Sequence, residues 1–266
     1  MGLKDQMSGI IPDDKLPFLS DRFDVIGDIA ILALPADLAV YGRSVAKAII
    51  AKRNSIKTVL NKTSPVTGTS RTVMYEILAG TSTVTDHREY GYTYRLDVTQ
   101  VFFNPRLSTE RMRVAGQVTE GEKVFVPFCG VGPFAVPAAA RGAGIVAVEQ
   151  NAEACHWLRV NCQLNNVTQA VRIIQGDAFA TTASSLAAFD RAIIPTPYGM
   201  DSILERITPF VRPSGCIHFY TFKKKCQIAG LIDAFRDRGF NVLYAAACGN
   251  IAPGVNRWVF DLQRTA

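Results

Sequence analysis

The sequence predicts an α/β protein with a mainly parallel sheet, preceded by a small α+β module. Three observations predict this fold. From residue 107 onward, short apolar strands alternate with helices at a regular spacing, which favours a parallel sheet covered on both faces. The turn Gly130-Val-Gly132 follows the first of these strands, and the acidic residue Glu149 ends the second. In such a sheet the carboxyl ends of neighbouring strands meet at one edge, where ligands bind.

The first 95 residues lack this regular alternation and predict the small α+β module. Residues 23–34 have the pattern of two strands around a turn at Gly27, and residues 38–53 have the helical spacing of apolar side chains. Two further strands are predicted at residues 56–60 and 73–78, with a loop at residues 65–70 between them. A hairpin is predicted at residues 83–97.

Residues 96–266 predict the second domain. Its strands are predicted at residues 124–128, 145–148, 171–175, 190–194, 215–220, 241–247 and 257–262. Its helices are predicted at residues 107–117, 134–141, 152–165, 199–210 and 227–238. The last two strands are close enough in sequence to form an antiparallel hairpin. A mostly parallel sheet that ends in this way is the arrangement of class I (Rossmann-like) methyltransferases.

The composition is that of a folded protein with a modest excess of positive charge. Of the 266 residues, 48% are hydrophobic and 20% are charged, and the net charge is +6. That charge suits a polyanionic partner but also an ordinary basic protein. No Cys-x-x-Cys pair occurs, so no metal is expected, and His218 is predicted to be a core residue. Without a signal peptide or a long apolar run, we expect a cytoplasmic protein that does not enter a membrane.

The glycine turn and the acids that follow the strands predict a nucleoside cofactor without phosphates, with S-adenosylmethionine as the leading candidate. Pro133 removes a backbone N–H that a phosphate site would use. Glu149 is placed to accept the ribose hydroxyls, and Asp177 to accept the adenine amino group. A turn without a ligand and two solvated acids are the alternatives. The predicted cofactor-binding residues are Phe128, Cys129, Gly130, Val131, Gly132, Glu149, Gln150, Asp177, Ala178 and Pro195.

A specific family resemblance is carried by residues 97–110, Asp-Val-Thr-Gln-Val-Phe-Phe-Asn-Pro-Arg-Leu-Ser-Thr-Glu. They resemble the signature that precedes the catalytic core of the archaeal and eukaryotic tRNA (guanine-37-N1) methyltransferases. That family includes the related wybutosine-pathway aminocarboxypropyltransferases. Residues 128–134 look like its cofactor loop, and residues 23–31 and 70–80 are similar to its small N-terminal module. The resemblance implies methyl transfer from S-adenosylmethionine to N1 of guanine at tRNA position 37.

The resemblance also implies three catalytic residues. Glu110 would be the general base that takes the proton from N1 of guanine. Arg106, four residues earlier at the predicted helix start, would share a helix face with Glu110 and orient it or hold a phosphate. Arg71 matches a family arginine that contacts the target nucleotide. From the residues alone, Arg106 and Glu110 could also be a simple helix-surface ion pair. Arg71 could also contact a tRNA phosphate or be a plain surface arginine.

Two positions depart from the family pattern. Pro195 stands where the family has an asparagine, and proline offers neither a side-chain amide nor a backbone N–H. Val126 stands where the family has an acidic residue near the cofactor's amino group. Tyr198 can still stack on a flipped base, and a core aromatic is the alternative for this residue. The departures leave two alternatives open: aminocarboxypropyl transfer from the same cofactor to a wyosine precursor in tRNA, and a catalytically impaired tRNA-binding paralogue.

The partner that the resemblance implies is tRNA, contacted at its anticodon loop by a monomeric protein. Arg111, Arg113 and residues 223–225 are candidates for contact with its phosphates, because lysine and arginine neutralise the charged backbone. A solvated, charged turn is the alternative for residues 223–225.

Overall fold

A computed structural model describes residues 2–64, 73–181 and 188–265. The chain folds into two compact units, Met1–Pro105 and Arg106–Ala266. The domain limits expected from the sequence stay a prediction.

The first unit contains a four-stranded sheet and a separate two-stranded hairpin. Its helices are α1 (Leu3–Met7) and α2 (Gly42–Lys52). Its strands are β1 (Asp24–Ile26), β2 (Ile29–Leu32), β3 (Thr58–Lys62), β4 (Tyr75–Ala79), β5 (Val84–Glu89) and β6 (Tyr92–Asp97). The sheet has the order β1-β2-β3-β4, in which β2 and β3 are parallel and the other neighbours antiparallel. The predicted hairpin is confirmed as the antiparallel pair β5 and β6.

The turn between β1 and β2 requires a glycine. Gly27 has a φ of +55°, and a Cβ atom there would lie 2.1 Å from the hydroxyl oxygen of Thr85. That hydroxyl donates to Oδ1 of Asp28 at 2.6 Å, and the backbone N–H of Asp28 donates back to it at 3.0 Å. The turn predicted at this position therefore packs directly against the hairpin. The predicted loop at residues 65–70 lies outside the described residues.

The second unit is built on a seven-stranded sheet. Its helices are α3 (Ser108–Ala115), α4 (Ala135–Ala139), α5 (Ala152–Leu164), α6 (Ile203–Ile207) and α7 (Ile228–Asp237). Its strands are β7 (Lys123–Pro127), β8 (Gly144–Glu149), β9 (Val171–Gln175), β10 (Phe189–Ile194), β11 (Val211–Lys224), β12 (Phe240–Ala252) and β13 (Val255–Arg264). The strand order is β12-β13-β11-β10-β7-β8-β9. The strands β7 to β11 are parallel, and β13 is antiparallel to both of its neighbours, so the predicted sheet and terminal hairpin are confirmed.

Two predicted elements of this unit have different lengths in the structure. The helix predicted at residues 199–210 is only the short α6, followed by a 3-10 turn. Gly199 has a φ of +80°, outside the helical region, and Pro209 lacks the N–H that a longer helix needs. The last three strands are longer than predicted. Their pairing, which extends from Cys216 to Lys224 along β11, continues beyond the apolar stretch visible in the sequence.

Aromatic rings fill the apolar core on one face of the second sheet. The ring centroid of Phe125 on β7 lies 5.1 Å from that of Phe189 on β10 and 5.8 Å from that of Phe210 after α6. Phe235 of α7 lies 5.1 Å from Phe260 on β13. Because aromatic side chains bury large apolar areas, these contacts hold the helices against the sheet.

The opposite face of β11 and β13 carries buried charged groups. His218 pairs in register with Asp261, and its Nδ1 atom lies 2.7 Å from the Asp261 Oδ1 atom. The Nε2 atom of His218 lies 2.7 Å from Nη1 of Arg191, whose guanidinium also donates to Glu122 at 2.7 Å. Asp261 accepts a further hydrogen bond from Arg113 of α3 at 2.6 Å. We call these five side chains the polar ladder.

His218 is neutral within the polar ladder. Arginine can only donate, so Nε2 of His218 accepts from Arg191 while its Nδ1–H donates to Asp261. Complete burial lowers the pKa of His218, and the positive charges of Arg191 and Arg113 lower it further, although Asp261 acts in the opposite direction. The prediction that His218 is a satisfied core residue is confirmed.

All six cysteines are free thiols. Among the described residues, no three or more histidine, cysteine or acidic side chains come together as a possible metal site. In the same part of the chain, no helix has both the length and the apolar character needed to cross a bilayer.

We expect the free energy of unfolding of the second unit to fall as the pH decreases from about 7 to about 5. Because the folded-state pKa of His218 is lowered, the unfolded chain binds a proton that the folded chain rejects once the pH falls through about 6.5. Urea unfolding followed by tryptophan fluorescence measures this dependence, since Trp157 and Trp258 both lie in this unit.

His218→Gln retains one donor and one acceptor but does not titrate, so it should flatten the pH dependence. The exposed His156 gives the matched control, and His156→Gln should leave the dependence unchanged. An equal slope in wild type and His218→Gln would contradict this account.

Candidate active site

The loop after β7 turns sharply at the carboxyl edge of the parallel strands. Phe128, Gly130 and Gly132 have φ angles of +53°, +56° and +91°. The backbone N–H of Cys129 donates to the carbonyl of Val148 on β8 at 3.2 Å, so the loop crosses toward the neighbouring strand. A phenylalanine in the left-handed region is uncommon, and such positions occur where a loop is held for function. We call residues 128–132 the glycine loop.

Helix α5 fixes the glycine loop from one side. The fully buried Asn161 donates from Nδ2 to the carbonyl of Val131 at 2.9 Å. Gly132 packs so closely that a Cβ atom would lie 2.4 Å from Cδ1 of Leu158. At Gly130, by contrast, a Cβ atom would meet no heavy atom within 4 Å. The loop is therefore anchored at Gly132 and has open space at Gly130.

Glu149 ends β8 with both carboxylate oxygens oriented. Its Oε2 atom accepts the N–H of Gly130 at 2.9 Å, and its Oε1 atom accepts the N–H of Asn151 at 2.8 Å. Asn151 also caps α5 by accepting the N–H of Glu153 at 2.9 Å. A carboxylate oxygen can accept more than one hydrogen bond, so both oxygens can also accept ligand hydroxyls. Gln150 is exposed beside it.

Asp177 follows β9 at the same edge of the sheet. Its Oδ1 atom accepts the N–H of Phe179 at 2.9 Å, and the side chain is otherwise exposed. Ala178 is buried next to it, and the ring of Phe179 lies 6.2 Å from that of Phe128. The predicted acids thus lie at the ends of adjacent strands with apolar surface beside them, which suits a nucleoside.

Glu110 lies in the first turn of α3 and is buried next to the polar ladder. Arg113 donates to both of its oxygens at 2.8 Å, and the hydroxyl of Tyr220 donates to Oε1 at 2.6 Å. Because Arg113 also binds Asp261, the position of Glu110 is coupled to the ladder. Burial raises the pKa of Tyr220 well above its usual value, and the charge of Glu110 raises it further, so the phenol remains a donor.

Phe134 connects Glu110 to the glycine loop. It follows Gly132 and Pro133 directly, and its ring centroid lies 5.4 Å from that of Tyr220. The nucleoside-binding edge and the buried carboxylate are therefore joined through two packed rings. A carboxylate held in this way can accept a proton from a substrate bound beside the loop.

The structure changes the arginine assigned to Glu110. Arg106 lies in the 3-10 turn Pro105–Leu107 before α3 and is exposed, so the shared helix face predicted for Arg106 and Glu110 is wrong. The guanidinium on Glu110 belongs to Arg113, which the sequence offers only as a candidate for contact with phosphate. Arg71 lies outside the described residues.

Sequence reasoning missed Tyr220, Asp261 and Asn161. Strand periodicity gives part of the signal, since His218 and Tyr220 are two residues apart and share a face of β11. Their partners come from α3 and β13, which are distant in sequence. Asn161 gave no signal, because an asparagine within an amphipathic helix has no pattern that predicts a buried contact.

The segment after β10 carries Pro195 and Tyr198. Between them, Thr196 is fully buried and donates its N–H and hydroxyl to the carbonyl of Ile194 at 2.7 and 3.1 Å. Tyr198 is 68% exposed, and its ring lies 5.4 Å from that of Phe222. The exposed ring suits base stacking, whereas Pro195 supplies no hydrogen-bond donor.

Comparison with known proteins matches both units. The family model described as the TRM5/TYW2 methyltransferase domain matches residues 85–238, and the model of the TYW2 N-terminal domain matches residues 3–83. The tRNA (guanine(37)-N(1))-methyltransferase Trm5b of Pyrococcus abyssi is 37% identical over 213 residues, which are 80% of this chain and 63% of that protein. The human tRNA (guanine(37)-N(1))-methyltransferase is 36% identical over 60% of this chain and 31% of its own length. The chain thus spans less than two thirds of either relative.

Solved structures share the fold over nearly the whole chain. The crystal structure of wild-type Trm5b from Pyrococcus abyssi has a TM-score of 0.87 at 33% identity, covering 96% of this chain and 78% of that one. A structure of P. horikoshii TYW2 in complex with MeSAdo has a TM-score of 0.79 at 25% identity, and the match covers 98% of this chain and 97% of that one. The structure of aTrm5 with tRNALeu has a TM-score of 0.89 at 26% identity, covering 100% and 78%.

We expect Gly132→Ala to lower the free energy of unfolding by about 2–4 kcal/mol, because it combines left-handed strain with overpacking against Leu158. Gly130→Ala introduces the same kind of strain into open space, so a loss of only about 1 kcal/mol is expected. Urea unfolding of the two variants measures the difference. Equal losses would show that the contact with α5 does not restrict this loop.

Proposed function

We propose that this chain, which belongs to the TRM5/TYW2 methyltransferase family, transfers a methyl group from S-adenosylmethionine to N1 of guanine at position 37 of tRNA. Relatives named tRNA (guanine(37)-N(1))-methyltransferase, 36–40% identical over the matched regions, support this activity. The observation that carries the proposal is the buried carboxylate of Glu110, held by Arg113 and Tyr220 beside the glycine loop.

The residues of the glycine loop fit S-adenosylmethionine. No lysine or arginine occurs in residues 128–134, as expected for a ligand without phosphates, and Pro133 has no N–H to offer one. The open space at Gly130 lies next to the oriented carboxylate of Glu149. The P. horikoshii TYW2 structure contains MeSAdo, which supports a sulfur-bearing nucleoside as the ligand class. We assign the ribose to Glu149 and the adenine amino group to Asp177.

Chemistry at N1 requires the loss of one proton and the gain of one methyl group. The cofactor supplies an electrophilic methyl carbon on a positively charged sulfur. As the N1–C bond forms and the C–S bond breaks, Glu110 accepts the N1 proton. Arg113 and Tyr220 keep that carboxylate in place, and Tyr198 offers a surface for stacking the base. Arg106 and Arg71 stay assigned, by resemblance, to the phosphate and the target nucleotide.

Aminocarboxypropyl transfer to a wyosine precursor in tRNA is the second candidate. The TYW2 N-terminal domain model matches residues 3–83, and the P. horikoshii TYW2 structure is covered over 97% of its length. Pro195 replaces the asparagine of the methylating branch, which the aminocarboxypropyl branch also lacks. Both reactions use the same cofactor, but they differ in the acceptor and in which carbon on the sulfur meets the nucleophile.

The proposed partner is tRNA, approached at the anticodon loop by one protein molecule in the cytoplasm. The structure of aTrm5 with tRNALeu and the net charge of +6 support a tRNA partner. A monomer mass for the free protein and a one-to-one mass for the tRNA complex in light scattering would support the stoichiometry.

Glu149→Gln is expected to weaken S-adenosylmethionine binding by about tenfold or more, because an amide cannot accept with both of its polar atoms. Titration calorimetry measures the affinity, and a melting curve checks the fold. The exposed Glu153 on α5 gives a matched control, and Glu153→Gln should bind normally. Unchanged affinity in Glu149→Gln would remove it from the cofactor site.

Glu110→Gln is expected to lower the methylation rate by about 100-fold or more, the usual contribution of a general base, while cofactor affinity is retained. Nucleoside mass spectrometry identifies the product on unmodified tRNA transcript and on tRNA from a host lacking this gene. The exposed Glu120→Gln variant is the control.

A methyl mass on guanosine at position 37 that Glu110→Gln loses supports the main proposal. A nucleoside whose mass is increased by an aminocarboxypropyl group would support the second candidate instead. Tight cofactor binding without either product would indicate the impaired tRNA-binding paralogue instead.

A further inference from the structure

Arg257 is a buried cation for which the described residues supply no anion. It lies on β13 and is only 4% exposed, yet among the described residues its guanidinium forms no hydrogen bond or ion pair. The guanidinium lies over the face of Phe222, whose ring centroid is 4.7 Å from the guanidinium carbon. A buried charge without a partner is unfavourable, so an arginine in this position indicates a ligand that supplies acceptor atoms.

The strand register places Arg257 at the ligand-binding edge. It pairs with Phe222, close to the carboxyl end of β11, and lies on the same face of the sheet as Tyr220. The other parallel strands present the glycine loop and Pro195 at this edge. Phe222 lies two residues after Tyr220 on β11, so Arg257 is closer than Tyr220 to the ligand-binding edge of the sheet. Tyr220 is the residue that holds the carboxylate of Glu110.

In the part of the chain that the structure describes, no carboxylate pairs with Arg257. Burial lowers the pKa of Arg257, and the described groups that act on its charge are Cys248, Tyr220 and Arg111. Burial raises the pKa of Cys248 to about 12, with Glu110 adding to the effect, so this thiol is neutral. The guanidinium is left with donors that the described residues do not use.

A row of planar groups continues from Arg257 to solvent. Its guanidinium stacks on Phe222, and the ring of Phe222 lies 5.4 Å from the exposed ring of Tyr198. The planes of these two rings are tilted by 51°. Aromatic rings beside a buried fork of donors suit a purine base, which has an apolar face and acceptor atoms along its edge. A hydrated phosphate group would be bound more favourably by an exposed cation than at this depth.

We propose that Arg257 binds the O6 and N7 atoms of the target guanine through its two-pronged guanidinium. This inference rests on the proposed function. Arginine paired with O6 and N7 is the commonest specific contact to guanine, and it leaves N1 free to face Glu110. When the N1 proton moves to Glu110, negative charge that spreads onto O6 meets the guanidinium. Arg257 thereby supplies the donors that Pro195 lacks.

The test is a binding cycle that needs no turnover. Affinities of wild type and Arg257→Met are measured, with S-adenosylhomocysteine present, for tRNA carrying guanine or 7-deazaguanine at position 37. The second base lacks the N7 acceptor but keeps O6 and the N1 proton. We expect 7-deazaguanine to weaken wild-type binding by about fivefold to tenfold and to have no effect in Arg257→Met, because partners in contact are not additive.

Methylation rates and salt dependence complete the experiment. Arg257→Met should lower kcat/KM on the guanine tRNA by about 10- to 100-fold, and Arg257→Lys should not restore it, since lysine lacks the fork. Arg236→Met removes an exposed arginine that pairs with Asp233 and should leave both measurements unchanged. Melting curves and cofactor affinity confirm that each variant is folded.

Each other outcome separates the two proposals. An equal 7-deazaguanine penalty in wild type and Arg257→Met overturns the role of Arg257, even when wild type methylates tRNA. The slope of log affinity against log salt concentration reports the number of phosphates that the protein contacts. A slope that decreases by about one phosphate contact in Arg257→Met would assign Arg257 to a tRNA phosphate and would also overturn its role in base recognition. The expected coupling in a wild-type protein that methylates no tRNA would leave base recognition intact and overturn the proposed function. Absence of binding to both tRNAs overturns both.

Discussion

The burial of charge on one face of β11 and β13 is the constraint on which the second unit depends. Asp261 lies between Arg113 and His218 with little contact to water. Burial alone would raise the pKa of Asp261, but hydrogen bonds from His218 and Arg113 outweigh that effect and hold the pKa far below its usual value. Removing one member would leave a buried charge without a partner, which is far less favourable than never burying the pair. The charges therefore fix the positions of three elements at once.

The buried charges also determine the geometry of the candidate active site. Helix α3 is held against the sheet by Arg113, so Glu110 has one position, and Tyr220 from β11 reinforces it. Phe134 then relates this carboxylate to the glycine loop through packing with Tyr220. At the other end, Glu149 and α5 hold the loop by hydrogen bonds to its backbone. A rigid arrangement of this kind suits a reaction in which positioning and one proton transfer supply most of the rate.

The departures from the family pattern concern single hydrogen bonds and leave the scaffold intact. Pro195 follows β10 directly and offers no donor, and Val126 is fully buried inside β7. Arg257 is the opposite case, because its donors exceed what the described residues accept. The donor that Pro195 does not offer and the unused donors of Arg257, two strands away, lie at the same edge of the sheet. The guanidinium can therefore take the place of the missing amide.

Periodicity and local turn chemistry were sufficient to predict most strands and helices, the glycine loop and the placement of Glu149 and Asp177. These features depend on residues close in sequence and on the rule that parallel strands end at one edge. The predicted pairing of Arg106 with Glu110 was wrong, because it depends on a segment that is distant in sequence. Arg113 is the partner of Glu110, since Asp261 on the last strand also binds its guanidinium. Residues close in the chain are therefore enough to identify the loop that can bind a nucleoside. Which charges are neutralised and which remain available depends on the folded protein, because burial and pairing involve side chains brought together from separate strands.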